Sequence, residues 1–120
     1  MSKRPVELLV EDIWEAVEKA ERYTGNITSE TFLSDSKTAD AVVRNLGIIG
    51  EAASRLPDDF KKKHPEIEWV KIVGLRHRIV HEYFGVDMDI VWQILKNDLP
   101  AFKGKLRSVR EELKQKNVLC

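Results

Sequence analysis

The sequence predicts an all-α bundle of four or five helices joined by short connections, which favours antiparallel neighbours. Three observations carry that expectation. Apolar residues recur at helical spacing along most of the 120 residues, the period that gathers them on one face. No stretch shows sustained period-two alternation bounded by hairpin turns, so no strand is assigned. Hydrophobic residues make up 42% and charged residues 33%, with only six Gly and four Pro, the profile of an ordered globular chain leaning towards helix. At this length a single domain spanning 1–120 is expected.

The elements follow in order. Val6, Leu9, Val10, Ile13, Val17 and Ala20 make the first helix, which Thr24-Gly25-Asn26 should stop with residues that tolerate the left-handed conformation. Ser29 to Leu33 reads as one helical turn, and Ser34-Asp35-Ser36 offers N-cap oxygens for a long helix. Its seam is Ala39, Val42, Leu46, Ile49, Ala53 and Leu56. Gly47 and Gly50 lie inside it, each costing about 1 kcal/mol relative to Ala. With Val43 and Ser54 they form a small-residue face, open to another helix of the same chain or to a second subunit. Leu56-Pro57-Asp58-Asp59 and His64-Pro65 punctuate the middle. A further helix is expected from near Pro65 to Phe84, ended by Gly85, and another from an Asp87 cap through Trp92 and Leu99. Pro100 should break or kink it. Phe102, Leu106, Val109 and Leu113 continue an amphipathic helix into a charged tail expected to fray over 115–120.

Cys120 is the one cysteine, so no intramolecular disulfide framework is possible and a reducing setting is expected. The N-terminal MSKRPVELLVEDIWE meets acidic residues before an apolar core develops, unlike a signal peptide, and no apolar run approaches the roughly 20 residues that span a bilayer. A cytoplasmic protein with no membrane association is expected. Twenty Lys+Arg balance twenty Asp+Glu, so a polyanion site must rest on local charge. Segment 61–81 supplies it, with Lys61, Lys62, Lys63, Lys71, Arg76 and Arg78 against Glu66 and Glu68.

Residues 74–87, GLRHRIVHEYFGVD, concentrate Arg76, His77, Arg78, His81 and Tyr83. Arg76 and Tyr83 share a helical stripe, whereas Arg76 and His81 point roughly 140° apart. One helix does not aim both at one atom, but two copies about a two-fold axis would bring an Arg76 and a His81 from each to a shared cleft. Histidine exchanges a proton near neutrality, and arginine holds a phosphate through a planar fork of donors. Together they suit RNA cleavage by 2′-hydroxyl attack with no metal and no cofactor. Zinc binding by His77 and His81, and a solvated surface with His81 and Tyr83 as packing residues, are the competing readings of these side chains.

Arg76, four residues, His81, one residue and Tyr83 resemble the R-x4-6-H-x-Y signature of the HEPN superfamily, and more narrowly its HepT-like toxins. LGIIGEAASRLP at 46–57, HPEIEWVKIVGLRHRIVHEYFGVD at 64–87 and VWQILKNDLPAF at 91–102 are similar to that family in order and spacing. The resemblance implies a HEPN-type antiparallel bundle, a homodimer with its cleft at the subunit interface, and a metal-independent ribonuclease toxin in which Arg76 and His81 act. It also implies a partner, an MntA-like minimal nucleotidyltransferase antitoxin that transfers AMP from ATP to the motif tyrosine, here Tyr83. The added bulk and negative charge would keep RNA out of the cleft.

The chain departs from the family pattern at His77, where Asn is frequent, and at Glu68, where Pro is common. Neither removes an expected catalytic group; His77 and Arg78 remain as supporting or RNA-binding candidates. A second functional class stays open, a non-catalytic HEPN subunit that binds a minimal nucleotidyltransferase and is modified by it or regulates it.

Overall fold

The computed structural model describes residues 4–79 and 87–119. Among these, all regular structure is helical: α1 (Val6–Thr24), α2 (Ser29–Ser34), α3 (Ser36–Arg55), α4 (Asp58–Lys63), α5 (Trp69–Val73), α6 (Leu75–Ile79), α7 (Met88–Gln93), a π-helical turn (Ile94–Asp98) and α8 (Leu99–Leu119). No helix among the described residues is long and apolar enough to cross a membrane.

Three long helices make the frame. The seams Leu9, Val10, Ile13, Val17 and Ala20 of α1 and Val42, Leu46, Ile49 and Ala53 of α3 are buried against each other. Each large side chain removed from water there contributes about 1.5–3 kcal/mol. Phe102, Leu106 and Val109 of α8 complete the core. Lys103 pairs with Glu21, and Arg110 with Glu11, so α8 runs antiparallel to α1. Trp14 lies beneath this seam, with Lys103, Arg107 and Arg110 at 5.3, 5.6 and 4.8 Å from its ring. Cations over an indole face add about 0.5–1 kcal/mol each at exposed sites.

The caps explain two boundaries. Asp35 closes α2 and opens α3, accepting from the Thr38 N–H at 3.2 Å and the Thr38 hydroxyl at 2.7 Å. The hydroxyl bond, ahead of the backbone bonds, holds its carboxyl below the usual carboxylate range. Asp87 accepts from the N–H groups of Asp89 and Ile90 and starts α7. Phe32, fully buried, docks the short α2 on Trp92 with ring centroids 5.2 Å apart.

Elsewhere the structure corrects the sequence expectations. Gly25 follows α1 in a right-handed conformation, φ −57 and ψ −34, so the helix stops without a left-handed cap. Asp58–Lys63 forms a helical turn after Pro57 rather than plain punctuation. The expected helix from Pro65 begins at Trp69. His64 stands before a proline, which disfavours helical backbone, and the Trp69 indole N–H donates to the His64 carbonyl at 3.0 Å, holding the corner closed. Gly74 then interrupts the helix at φ −85 and ψ 7. A side chain there would meet the Val70 carbonyl at 3.1 Å. The continuation through Val80 to Phe84 and the stop at Gly85 lie outside the described residues.

Pro100 does not break the helical run; it sits one residue into α8, just after the π-helical turn. Proline removes one helical hydrogen bond and crowds the carbonyl four residues back. The π turn absorbs that defect by letting the Leu99 N–H donate to the Ile94 carbonyl, five residues back. The small-residue face divides as well. A Cβ on Gly50 would lie 3.4 Å from the carbonyl oxygens of Ile72 and Val73, whereas one on Gly47 would meet nothing within 4 Å.

Two outcomes follow for stability. In urea titrations Gly47→Ala should raise the unfolding free energy by about 0.5–1 kcal/mol, while Gly50→Val should lower it by about 1–3 kcal/mol through crowding. Equal effects would contradict the asymmetry. The Glu11 carboxyl is held low by its hydrogen bonds to Arg110, with lesser help from the charges of Arg110 and Lys114. A depressed folded-state pKa stabilises the fold above the carboxylate's unfolded value and is lost as pH falls through the folded one. Glu11→Gln should therefore lower stability at neutral pH, with an effect that shrinks progressively as pH falls below the unfolded glutamate value of about 4.3. With Glu11 partly exposed the difference should stay near or under about 1 kcal/mol.

Candidate functional site

Leu75 and Ile79 are buried on one face of α6, so Arg76, His77 and Arg78 between them are turned outward. The three do not converge. Arg76 lies on the wall of a cleft of about 860 Å³ bounded by α1, α3, α5 and α6. Arg78 turns to the opposite side, where its Nη2 donates to Asp98 at 2.8 Å beside a small hollow of about 120 Å³. His77 is exposed and lines neither. His81 and Tyr83 lie outside the described residues. Their flanks are tied, because the Asp87 N–H donates to the Ile79 carbonyl at 2.8 Å.

The third histidine belongs to the core. His64 is buried, its ring 4.8 Å from that of Phe60 and its Nδ1 3.5 Å from Glu66. It stands at the corner before α5 and shares no cleft with Arg76.

The cleft has an apolar floor and a charged rim. Val43, Gly47, Ile48 and Gly50 of α3 and Val73 of α5 make the floor, while Arg44, Glu51, Ser54 and Arg55 of α3, Asp12 of α1 and Arg76 stand around it. The two carboxylates are already matched. Asp12 accepts from Arg4 at 2.6 and 3.0 Å, and Glu51 pairs with Arg55 at 3.2 Å. Among the described residues, neither Arg44 nor Arg76 has an ion-pair or side-chain hydrogen-bond partner. The rim therefore presents uncompensated positive charge, the requirement for holding a phosphate.

Neither Arg44 nor Arg55 is among the candidate site residues of the sequence, although Arg55 lies within the family-like stretch 46–57. What flags them is spacing: residues 44, 47, 48, 51, 54 and 55 fall on one face of α3. Gly47, Val43 and Ser54 of the small-residue face line the cleft, and Gly50 both lines it and packs against the carbonyls of Ile72 and Val73.

A family model described as "Ribonuclease HepT-like" matches residues 13–109. A protein named "Probable ribonuclease HepT" from Thermococcus cleftensis is 46% identical over 109 residues, 91% of this chain and 99% of its own length. A protein named as a "Putative RNase" from Methanocaldococcus jannaschii is 36% identical over 114 residues, 95% of this chain and 92% of its own. Another so named, from Caldanaerobacter subterraneus, is 37% identical over 94 residues, 78% of this chain and 83% of its own. No solved structure matches the chain.

The Arg78–Asp98 pair joins α6 to the π turn, with both side chains more than a third exposed. In a double-mutant cycle of Arg78→Ala and Asp98→Ala the coupling should be under about 1 kcal/mol and should fall with salt. A salt-insensitive coupling above that would mean the pair is desolvated.

Proposed function

The chain belongs to the HepT-like ribonuclease family, and on that premise we propose that it is a metal-independent endoribonuclease toxin, working in the cytoplasm as a homodimer. Arg76 and His81 are the reacting residues, and transfer of AMP to Tyr83 by an MntA-like minimal nucleotidyltransferase antitoxin shuts the site. The observation that carries the reading is the place of Arg76, a guanidinium with no ion-pair partner among the described residues, on the wall of the large cleft.

Chemically, His81 takes the proton of a ribose 2′-hydroxyl, and the freed oxygen attacks the adjacent phosphorus. The bond to the 5′-oxygen breaks, that oxygen takes up a proton, and the products are a 2′,3′-cyclic phosphate and a 5′-hydroxyl. Arg76 stabilises the charge that builds on the phosphoryl oxygens. The five-residue spacing points Arg76 and His81 apart on a helix, so two copies meeting along α6 supply what one lacks. In the shut-off step the Tyr83 oxygen attacks the α-phosphorus of ATP and pyrophosphate leaves. The tyrosine then carries a nucleotide's bulk and a negative phosphodiester at the mouth of the cleft, and both oppose an incoming RNA phosphate.

Unmodified protein should cut RNA in the presence of EDTA and leave cyclic-phosphate ends. Arg76→Ala and His81→Ala should each lose at least about 100-fold in rate while keeping the parent's helical content. Undiminished cleavage by both would reject the mechanism. If the unmodified parent leaves RNA intact, the chain is instead a non-catalytic subunit. After co-expression with a minimal nucleotidyltransferase, mass spectrometry should find AMP adducts that disappear in Tyr83→Phe.

A further inference from the structure

We propose that Arg44 and Arg55 of α3 bind backbone phosphates of a single-stranded RNA, flanking the phosphate held at Arg76; this rests on the ribonuclease reading above. Eleven positions separate the two, which on a helix is about 16 Å of rise with only about 20° of rotation. They therefore stand on one stripe, at the two ends of the cleft floor whose wall carries Arg76.

Charge selects the occupant. Arg44 and Arg76 lack ion-pair partners among the described residues, and the two carboxylates of the rim are each matched by another arginine. The Arg55–Glu51 pair has side chains 62% and 66% exposed. Such a surface pair is weak enough for a phosphate to displace. A second copy of the chain fits this floor poorly. An isologous contact across α3 would set arginines against arginines, and the exposed apolar residues of the floor, Ile48 and Val73, are only 38% and 36% accessible.

Gly47 gives independent support. Glycine weakens a helix interior by about 0.5–1 kcal/mol relative to Ala. Among the described residues nothing outside its own stretch of helix lies within 4 Å of its missing Cβ, so their packing does not ask for it. A sugar-phosphate backbone crossing between Arg44 and Arg55 does, because it can then approach the helix closely. Single-stranded RNA is the form that fits, since 2′-hydroxyl attack needs that oxygen in line with the leaving 5′-oxygen, and a strand held in A-form pairing does not offer that alignment.

The test uses the full-length unmodified chain and a single-stranded 2′-O-methyl oligonucleotide of about 12 nucleotides, which has no 2′-hydroxyl and is not cut. Fluorescence anisotropy is followed across a salt series. Arg44→Gln and Arg55→Gln should each bind several-fold more weakly at low salt and reduce the slope of log affinity against log salt by about 0.7. Arg22→Gln, removing the same charge from an exposed position outside the cleft, should bind as the parent does. Parental slopes for both α3 variants, beside a parent that cleaves natural RNA, overturn this proposal and leave the ribonuclease reading standing. A parent that neither binds nor cleaves overturns both. If light scattering finds that Arg44→Gln and Arg55→Gln change the oligomeric mass while the salt slope is unchanged, a second copy covers the floor and the proposal falls.

Discussion

The structure depends on how closely the α5–α6 corner approaches α3 at Gly50. Two carbonyl oxygens, of Ile72 and Val73, and the Leu75 Cβ lie 3.4 to 3.9 Å from where a Gly50 side chain would begin. Bare backbone on α3 lets the corner sit down, and Gly74, whose own side chain would press on the Val70 carbonyl, lets it turn there. With Ile72, Leu75 and Ile79 buried, α6 has no freedom to roll. Arg76 is set on the cleft wall because the apolar residues around it are committed to the core. The catalytic role proposed for Arg76 needs that kind of support, since loosely held groups lose the geometry on which rate depends.

Charge is distributed to the same end. Around the fold, guanidinium groups are used structurally: Arg110 and Arg107 cover Trp14, Arg110 holds Glu11, and Arg78 holds Asp98. These contacts fasten α8 to α1 and α6 to the π turn. Arg44 and Arg76 depart from that pattern: exposed on the cleft, they have no ion-pair partner among the described residues, because Asp12 and Glu51 are matched by Arg4 and Arg55. In a chain of zero formal charge, that local imbalance arises from where the acids are placed rather than from a surplus of bases. Whole-chain charge thus says little here about affinity for a polyanion.

Much of this was legible in the residues. The seams of α1 and α3, the cap at Asp35, the cap at Asp87 and the Phe102–Leu106–Val109 face of α8 all obey local rules of period and side-chain chemistry, and each stands where those rules put it. The motif singled out Arg76 as a candidate, but the cleft that it lines was not legible. The interruption at Gly74, the helical turn after Pro57 and the π turn before Pro100 escaped because glycine and proline mark a change in the backbone without fixing the form it takes. Arg44 and Arg55 escaped for another reason: charged residues on a helix surface are ordinary, and only the arrangement of their neighbours makes these two unusual. The two glycines of α3 look alike in sequence and both line the cleft, yet one also packs against backbone of α5 and the other does not.

The π-helical turn at Ile94–Asp98 has a consequence for how this chain tolerates changes in length. Such a turn holds one residue more than the regular pitch needs. Four residues at the regular pitch turn through about as much as five in the wider coil, so deleting a single residue there would return the run to regular pitch and leave everything downstream close to its present phase. Phe102, Leu106 and Val109 would stay on the core face, and Lys103 and Arg110 would stay on the side of Glu21 and Glu11. The interval from Asp87 to Pro100 can thus lose a residue at the π turn without turning α8 away from α1.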